Sequence, residues 1–152
     1  MKHVNRLLLA SLLAMPLLAE NPNKIFAQKL VDQAIARHPE LVVLMMHVTP
    51  PGKADNVVIA SNIGRIRKKG DEDDLRCIQT GKSNLEVSPK GDHFEVELVL
   101  QDASGKTVGA LGTVFNYKPG DDKAAFDRKA QLIRNELRDQ IPTIKKLFEP
   151  IP

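Results

Sequence analysis

The sequence is poor in the residues that most readily carry chemistry alone. Among 152 residues there is one cysteine, one tyrosine and no tryptophan. With Cys77 alone, no disulfide forms within the chain, and the thiol is either buried as a small apolar group or paired between chains. The same scarcity excludes C-x-x-C-H haem attachment and cysteine-rich zinc spacing. No G-x-S-x-G nucleophile elbow occurs. Gly105-Lys106-Thr107 and Gly81-Lys82-Ser83 copy the end of a phosphate-binding loop. Its earlier glycine is missing from both, since Leu100 and Arg76 stand at those positions.

Charge of one sign is also lacking. Lysine and arginine total 22 against 19 acids, a net charge of +3. Lys2 and Arg6 fall in the N-terminal segment, so the remainder is close to balance. That removes the electrostatic support that nucleic-acid binding needs. Hydrophobic residues at 42% and charged residues at 27% describe a globular chain.

The N-terminus reads as a secretory signal over residues 1–19. Lys2, His3 and Arg6 precede the apolar stretch from Leu7 to Leu18, and Ala19 offers a small residue at the cut. Leu17 is large for the position three before that cut, so cleavage after Ala14 or slightly downstream is the alternative. The apolar run is too short for a standard membrane span, and no cysteine follows it to carry a lipid. Residues 20–152 then form one domain, secreted or periplasmic in a bacterium, with no stable membrane anchor.

Periodicity supplies the elements. Phe26, Leu30 and Ala34, beside Ala27, Val31 and Ile35, predict a helix over 23–38, with Asn23 as its cap and Pro39 as its stop. Leu41 to Thr49 predicts a strand covered on both faces, hence central in its sheet. Val57 to Ser61 follows closely enough to pair antiparallel with it. Asp71 opens a short helix with acids crowded in its first turn, and Gly81 stops it. Asn84 to Ser88 is a short strand. Phe94, Val96, Leu98 and Leu100 alternate with Glu95, Glu97 and Val99, as in a strand with one wet side. A turn at 102–106 returns the chain along Thr107 to Tyr117, where Gly109 and Gly112 mark a bulge or a close approach. Phe126, Ala130, Ile133, Leu137, Ile141 and Ile144 form the apolar face of a final helix that Pro142 kinks or ends.

The order helix, two strands, short helix, three strands, long helix, together with Ala60 to Leu75 (ASNIGRIRKKGDEDDL) and Gly105 to Phe115 (GKTVGALGTVF), resembles the Cache branch of the PAS-like extracellular sensor fold. The resemblance covers roughly residues 24–118. It implies an α+β domain whose five-stranded antiparallel sheet carries the N- and C-terminal helices on one face and the middle segment on the other. It also implies a small-molecule pocket between the sheet and that segment. The chain departs from the receptors of that family in having no membrane span or signalling domain after the sensor. The tryptophan-containing set of its amino-acid-binding members is missing too.

Candidate binding residues follow. Arg65 and Arg67 offer planar forks to a carboxylate or phosphate, with Lys68 and Lys69 behind them. Ser61, Asn62 and Tyr117 add polar contacts, and Asp74 orients an arginine or takes an amine. The plainer reading of residues 62–74 is a solvated loop whose charges pair among themselves. Met45 and His47 share one strand face and Met46 takes the other, which suits copper chemistry less than core packing, although His47 stays a candidate ligand contact. Glu95 and Glu97 share a strand face and read as its solvated side rather than as a hydrolytic pair. No metal and no cofactor is expected. The expectation is therefore a stand-alone, non-enzymatic sensor-like domain binding a small, anionic molecule. The alternative is a protein-interaction module without a small ligand, with a protein partner or a homodimer through the long helices.

Overall fold

The computed structural model describes residues 25–151, so the 1–19 signal segment and the Asn23 cap lie outside the described residues. The elements run α1 (Phe26–Arg37), β1 (Leu41–Val48), β2 (Val57–Ser61), α2 (Glu72–Thr80), β3 (Asn84–Val87), β4 (His93–Gln101), β5 (Thr107–Asn116), α3 (Lys123–Arg138) and α4 (Ile144–Leu147). The architecture is α+β. Five antiparallel strands lie in the order β2-β1-β5-β4-β3.

Cross-strand partners share a face of the sheet, so the register sorts the side chains. Leu44, Met46, Phe94, Val96, Leu98, Leu111 and Phe115 belong to the main core with Leu30 and Val31 of α1 and Ile133 and Leu137 of α3. Each such fully buried side chain contributes roughly 1.5–3 kcal/mol. Met45, His47, Glu95, Glu97, Ala110 and Gly112 fall on the opposite face. There α2 crosses β4 and β5, above the small residues of β5.

Three expectations need correction. β1 is an interior strand, but β5 takes the central place because β1 pairs with β2 on its other side. α1 begins at Phe26 with no side-chain cap on Ile25; the C-terminal segment serves instead, Phe26 N–H donating to Glu149 O at 2.9 Å. β4 has no wet side near its middle, since Glu97 is only 5% exposed beneath α2 and the preceding loop.

The local signals of α2 act as read. Asp71 accepts the N–H groups of Asp73 and Asp74, Asp74 returns a bond to the Asp71 N–H, and Gly81 ends the helix at φ +72°. Asp122 caps α3 through the Ala124 N–H. α3 stops at Arg138, ahead of Pro142, and Ile141 continues into the core. Cys77 is buried at 1% exposure with Sγ 3.6 Å from Glu97 O, and burial pushes its thiol pKa up. A thiol so placed is an inert packing group unless α2 moves.

Gly109 marks a close approach of β5 to β1. A Cβ there would lie 2.2 Å from the His47 carbonyl oxygen, which is rigid backbone. Gly109→Ala should therefore destabilise the domain by roughly 1–3 kcal/mol, read as a loss of denaturant midpoint at unchanged slope.

Candidate functional site

The second face of the sheet is a problem in polar chemistry. His47 and Asp74 are 6% and 1% exposed, so neither can rely on water. They solve it together: His47 Nδ1 and Asp74 Oδ1 are hydrogen-bonded. Asp74 Oδ2 meanwhile accepts the Asp71 N–H at 3.0 Å. The capping box that starts α2 thus also fixes the imidazole of β1. Gly70, just before, permits the approach, because a Cβ there would stand 2.3 Å from Asn56 Oδ1 and 3.3 Å from Asp74 Oδ2.

Beside this pair lies a cleft of about 160 Å³. Met45, His47, Glu95 and Glu97 of the sheet form its floor, Asp71 and Asp74 one wall, and Arg65, Lys68 and Lys69 the basic rim. The rim segment is held against the sheet edge by backbone bonds: Arg67 N–H to Val58 O at 2.9 Å, Val58 N–H to Lys68 O at 2.8 Å and Gly70 N–H to Asn56 O at 3.0 Å. Arg65 and Arg67 sit at φ 63° and 73°, a left-handed conformation that non-glycine residues seldom adopt. The two arginines line different hollows, Arg65 this cleft and Arg67 another.

Electrostatically the floor is acidic. Burial pushes the Glu97 carboxyl up to about 8, with Asp74, Glu95, Asp71 and Asp73 adding repulsion. Glu95 is also raised, first by burial and then by Asp71, Glu86 and Asp74, with His47 opposing. Glu97 Oε2 is buried without any hydrogen-bond partner. No lysine or arginine among the described residues forms a salt bridge with Glu97. Asp71, Asp73 and Glu97 each place a carboxylate oxygen within 4.8 Å of the others, a donor set of hard oxygens.

Of the seven residues expected at a ligand site, the structure brings His47, Arg65 and Asp74 to this cleft. Arg67 turns to a separate hollow with Pro50, Lys53 and Val57. Ser61 and Asn62 line another hollow with Gln28 and Asp32. Their polar groups are largely engaged: Ser61 N–H donates to Gln28 Oε1 at 3.0 Å, and Asn62 bridges Leu44 N–H and Val42 O. Tyr117 belongs to the other face. Its ring lies 5.9 Å from Phe94 and 6.4 Å from Phe126, in the aromatic cluster beneath α3. Reading residues 62–74 as a freely solvated loop also fails for Asp74, which is buried.

Glu95 and Glu97 were the residues missed as site residues. A signal existed. If β1 is covered on both faces, its neighbours two strands away are covered there too, and Ala110 and Gly112 leave room for a covering helix. Alternation along β4 alone could not show this.

No family model matches the sequence, and no curated protein matches it. The fold does have solved counterparts. A GAF domain from A. aeolicus in an inactive state is similar with a TM-score of 0.57 at 10% identity, over 74% of this chain and 82% of that one. A GAF sensor protein from Burkholderia vietnamiensis gives 0.53 at 16% identity, over 79% and 76%. The type II free methionine-R-sulfoxide reductase from Thermoplasma acidophilum gives 0.51 at 14% identity, over 82% and 93%. The fold is therefore GAF-like within the PAS-like class, and the Cache type has no counterpart among these three. The expectation of a non-enzyme is corrected by the third, a reductase sharing this architecture. The fold itself does not exclude catalysis.

The Glu97 carboxyl makes a pH prediction. The folded group keeps its proton up to about pH 8, whereas the ordinary value is 4.5. Between those values the native state binds more protons than the unfolded chain, so stability falls as pH rises through the window. In chelator-containing buffer, Glu97→Gln should flatten that decline. It should raise the melting temperature at pH 8 by several degrees, equivalent to roughly 1–3 kcal/mol.

Proposed function

We propose that this chain is a GAF-like, sensor-like module that binds a small polar molecule in the cleft between the sheet and residues 65–74. The observation that carries the reading is Glu97, 5% exposed with Oε2 unpaired, on the floor of a cleft. A buried carboxyl left without a donor costs free energy that a ligand's N–H or O–H group would offset. At about 160 Å³ the cleft is smaller than the roughly 300–1,000 Å³ of drug-sized sites, which fits a ligand of amino-acid size.

The charge pattern refines the class. Donor-bearing or cationic groups suit Glu95 and Glu97 inside, while a carboxylate or phosphate suits Arg65, Lys68 and Lys69 at the rim. A wholly anionic ligand fits less well, because the acidic floor would repel it. The kinship in fold with a GAF sensor supports a binding role by analogy. For the alternative, an interaction module through the long helix, α3 presents Leu132 at 62% exposure, and single exposed leucines are ordinary.

Thermal-shift screening followed by calorimetry against amines, amino acids and small carboxylates tests the reading. A binder should lose at least tenfold affinity in Glu97→Gln and in Arg65→Ala, with the fold intact, and keep it in Tyr117→Phe. Equal affinity in all three would remove the ligand from this cleft.

We also propose that the domain works outside the cytoplasm, secreted or periplasmic, on the strength of the signal pattern at residues 1–19. Expressed whole in a bacterium with two membranes, the chain should be recovered from the periplasm at the mass of a form lacking that segment. Recovery from the cytoplasm at full mass would refute it.

A further inference from the structure

The acids at the start of α2 have a second use. Asp71 Oδ1 is committed to the helix, accepting the N–H groups of Asp73 at 3.1 Å and Asp74 at 3.2 Å. Asp73 Oδ1 takes the Arg76 guanidinium. Each carboxylate has another oxygen, and Glu97, coming from β4 below, brings a buried oxygen with no partner. Oxygens from the three lie within 4.8 Å of one another.

Helix capping explains Asp71, and the guanidinium explains Asp73. Neither explains why a third carboxylate, 5% exposed and unpaired, is turned toward them. Three carboxylates at this spacing repel once all are ionised; Arg76 relieves Asp73 alone, and no lysine or arginine among the described residues bridges Glu97. We infer that Asp71, Asp73 and Glu97 form a site for one hard divalent cation of calcium's size. Calcium–oxygen distances of about 2.3–2.6 Å let two ligands stand about 5 Å apart across one ion, a span that takes in oxygens lying within 4.8 Å of one another. Calcium's flexible coordination also suits carboxylates already committed to a helix cap and a guanidinium better than magnesium's near-ideal octahedron at about 2.0–2.1 Å. The cation would tie the first turn of α2 to β4, the two elements that enclose the cleft.

This site shares Asp71 and Glu97 with the small-molecule cleft and differs from it in Asp73, which does not line the cleft. The test is calorimetric titration of calcium chloride into the chelator-stripped full chain, with sodium chloride at matched ionic strength as reference and magnesium as a second arm. One calcium per chain is expected, with a Kd between about 10 μM and 1 mM, weaker magnesium binding and a calcium-dependent rise in melting temperature. Asp73→Asn should weaken calcium at least fivefold. Glu72→Gln, an exposed acid in the same helical turn but outside the cluster, should bind like the wild type. Absence of calcium heat beyond the sodium reference would overturn the site, as would equal weakening by the two variants. Magnesium binding as tightly as calcium would overturn the size argument. Small-molecule affinity preserved in Asp73→Asn shows that the two readings fail separately.

Discussion

One carboxylate holds the two halves of the site together. Asp74 closes the capping box of α2 with one oxygen and meets the His47 imidazole of β1 with the other. Without it, α2 would lose a partner for its first turn, and His47 would be a buried ring with an unsatisfied nitrogen. Removing one member of such a buried pair costs more than the pair itself contributes, because the survivor keeps its desolvation penalty. The placement of α2 over the sheet, and hence the cleft, depends on this contact. Gly70 matters because, lacking a side chain, it lets the chain lie close against Asn56 and Asp74.

The same closeness creates the electrostatic tension of the site. Covering the second face brings Asp71, Asp73, Asp74, Glu95 and Glu97 near one another in reduced solvent. His47 answers one of them. Arg65, Lys68 and Lys69 balance the cleft at its rim, yet they stand across from the floor rather than on it. A site of this kind is stable as an acidic floor only if something positive, or a proton, occupies it. The raised carboxyl of Glu97 is the protonated solution, and a ligand donor or a cation is the other. The left-handed backbone at Arg65 and Arg67 points the same way, since strain in a loop edging a cleft persists only where the surrounding contacts over-determine it.

Much of this was legible in order. The apolar spacing of Leu30 and Ala34, the uninterrupted run of β1, the capping acids of α2 and the Gly81 stop are local signals, and each acted locally. Arg65, Asp74 and His47 could be singled out because their residue types are costly to leave unused. Tyr117 misled because its position at a strand end says nothing of which face it takes; it is half-buried against the core, beside Phe94 and Phe126. Glu95 and Glu97 misled because alternation reports a difference between two faces, not whether the polar one is wet.

By itself, then, the sequence determined the elements, their order, the caps of α2 and the apolar face that α1 and α3 cover, because these follow from interactions within a few residues and from periodicity. Only the tertiary structure decided that β5 rather than β1 is central, that the C-terminal segment serves the start of α1, and that two glutamates lie beneath a helix. Those outcomes depend on which distant segments share a surface. Burial and the loss of solvent, which change the chemistry of a carboxylate, belong to that shared surface and to no single stretch of chain.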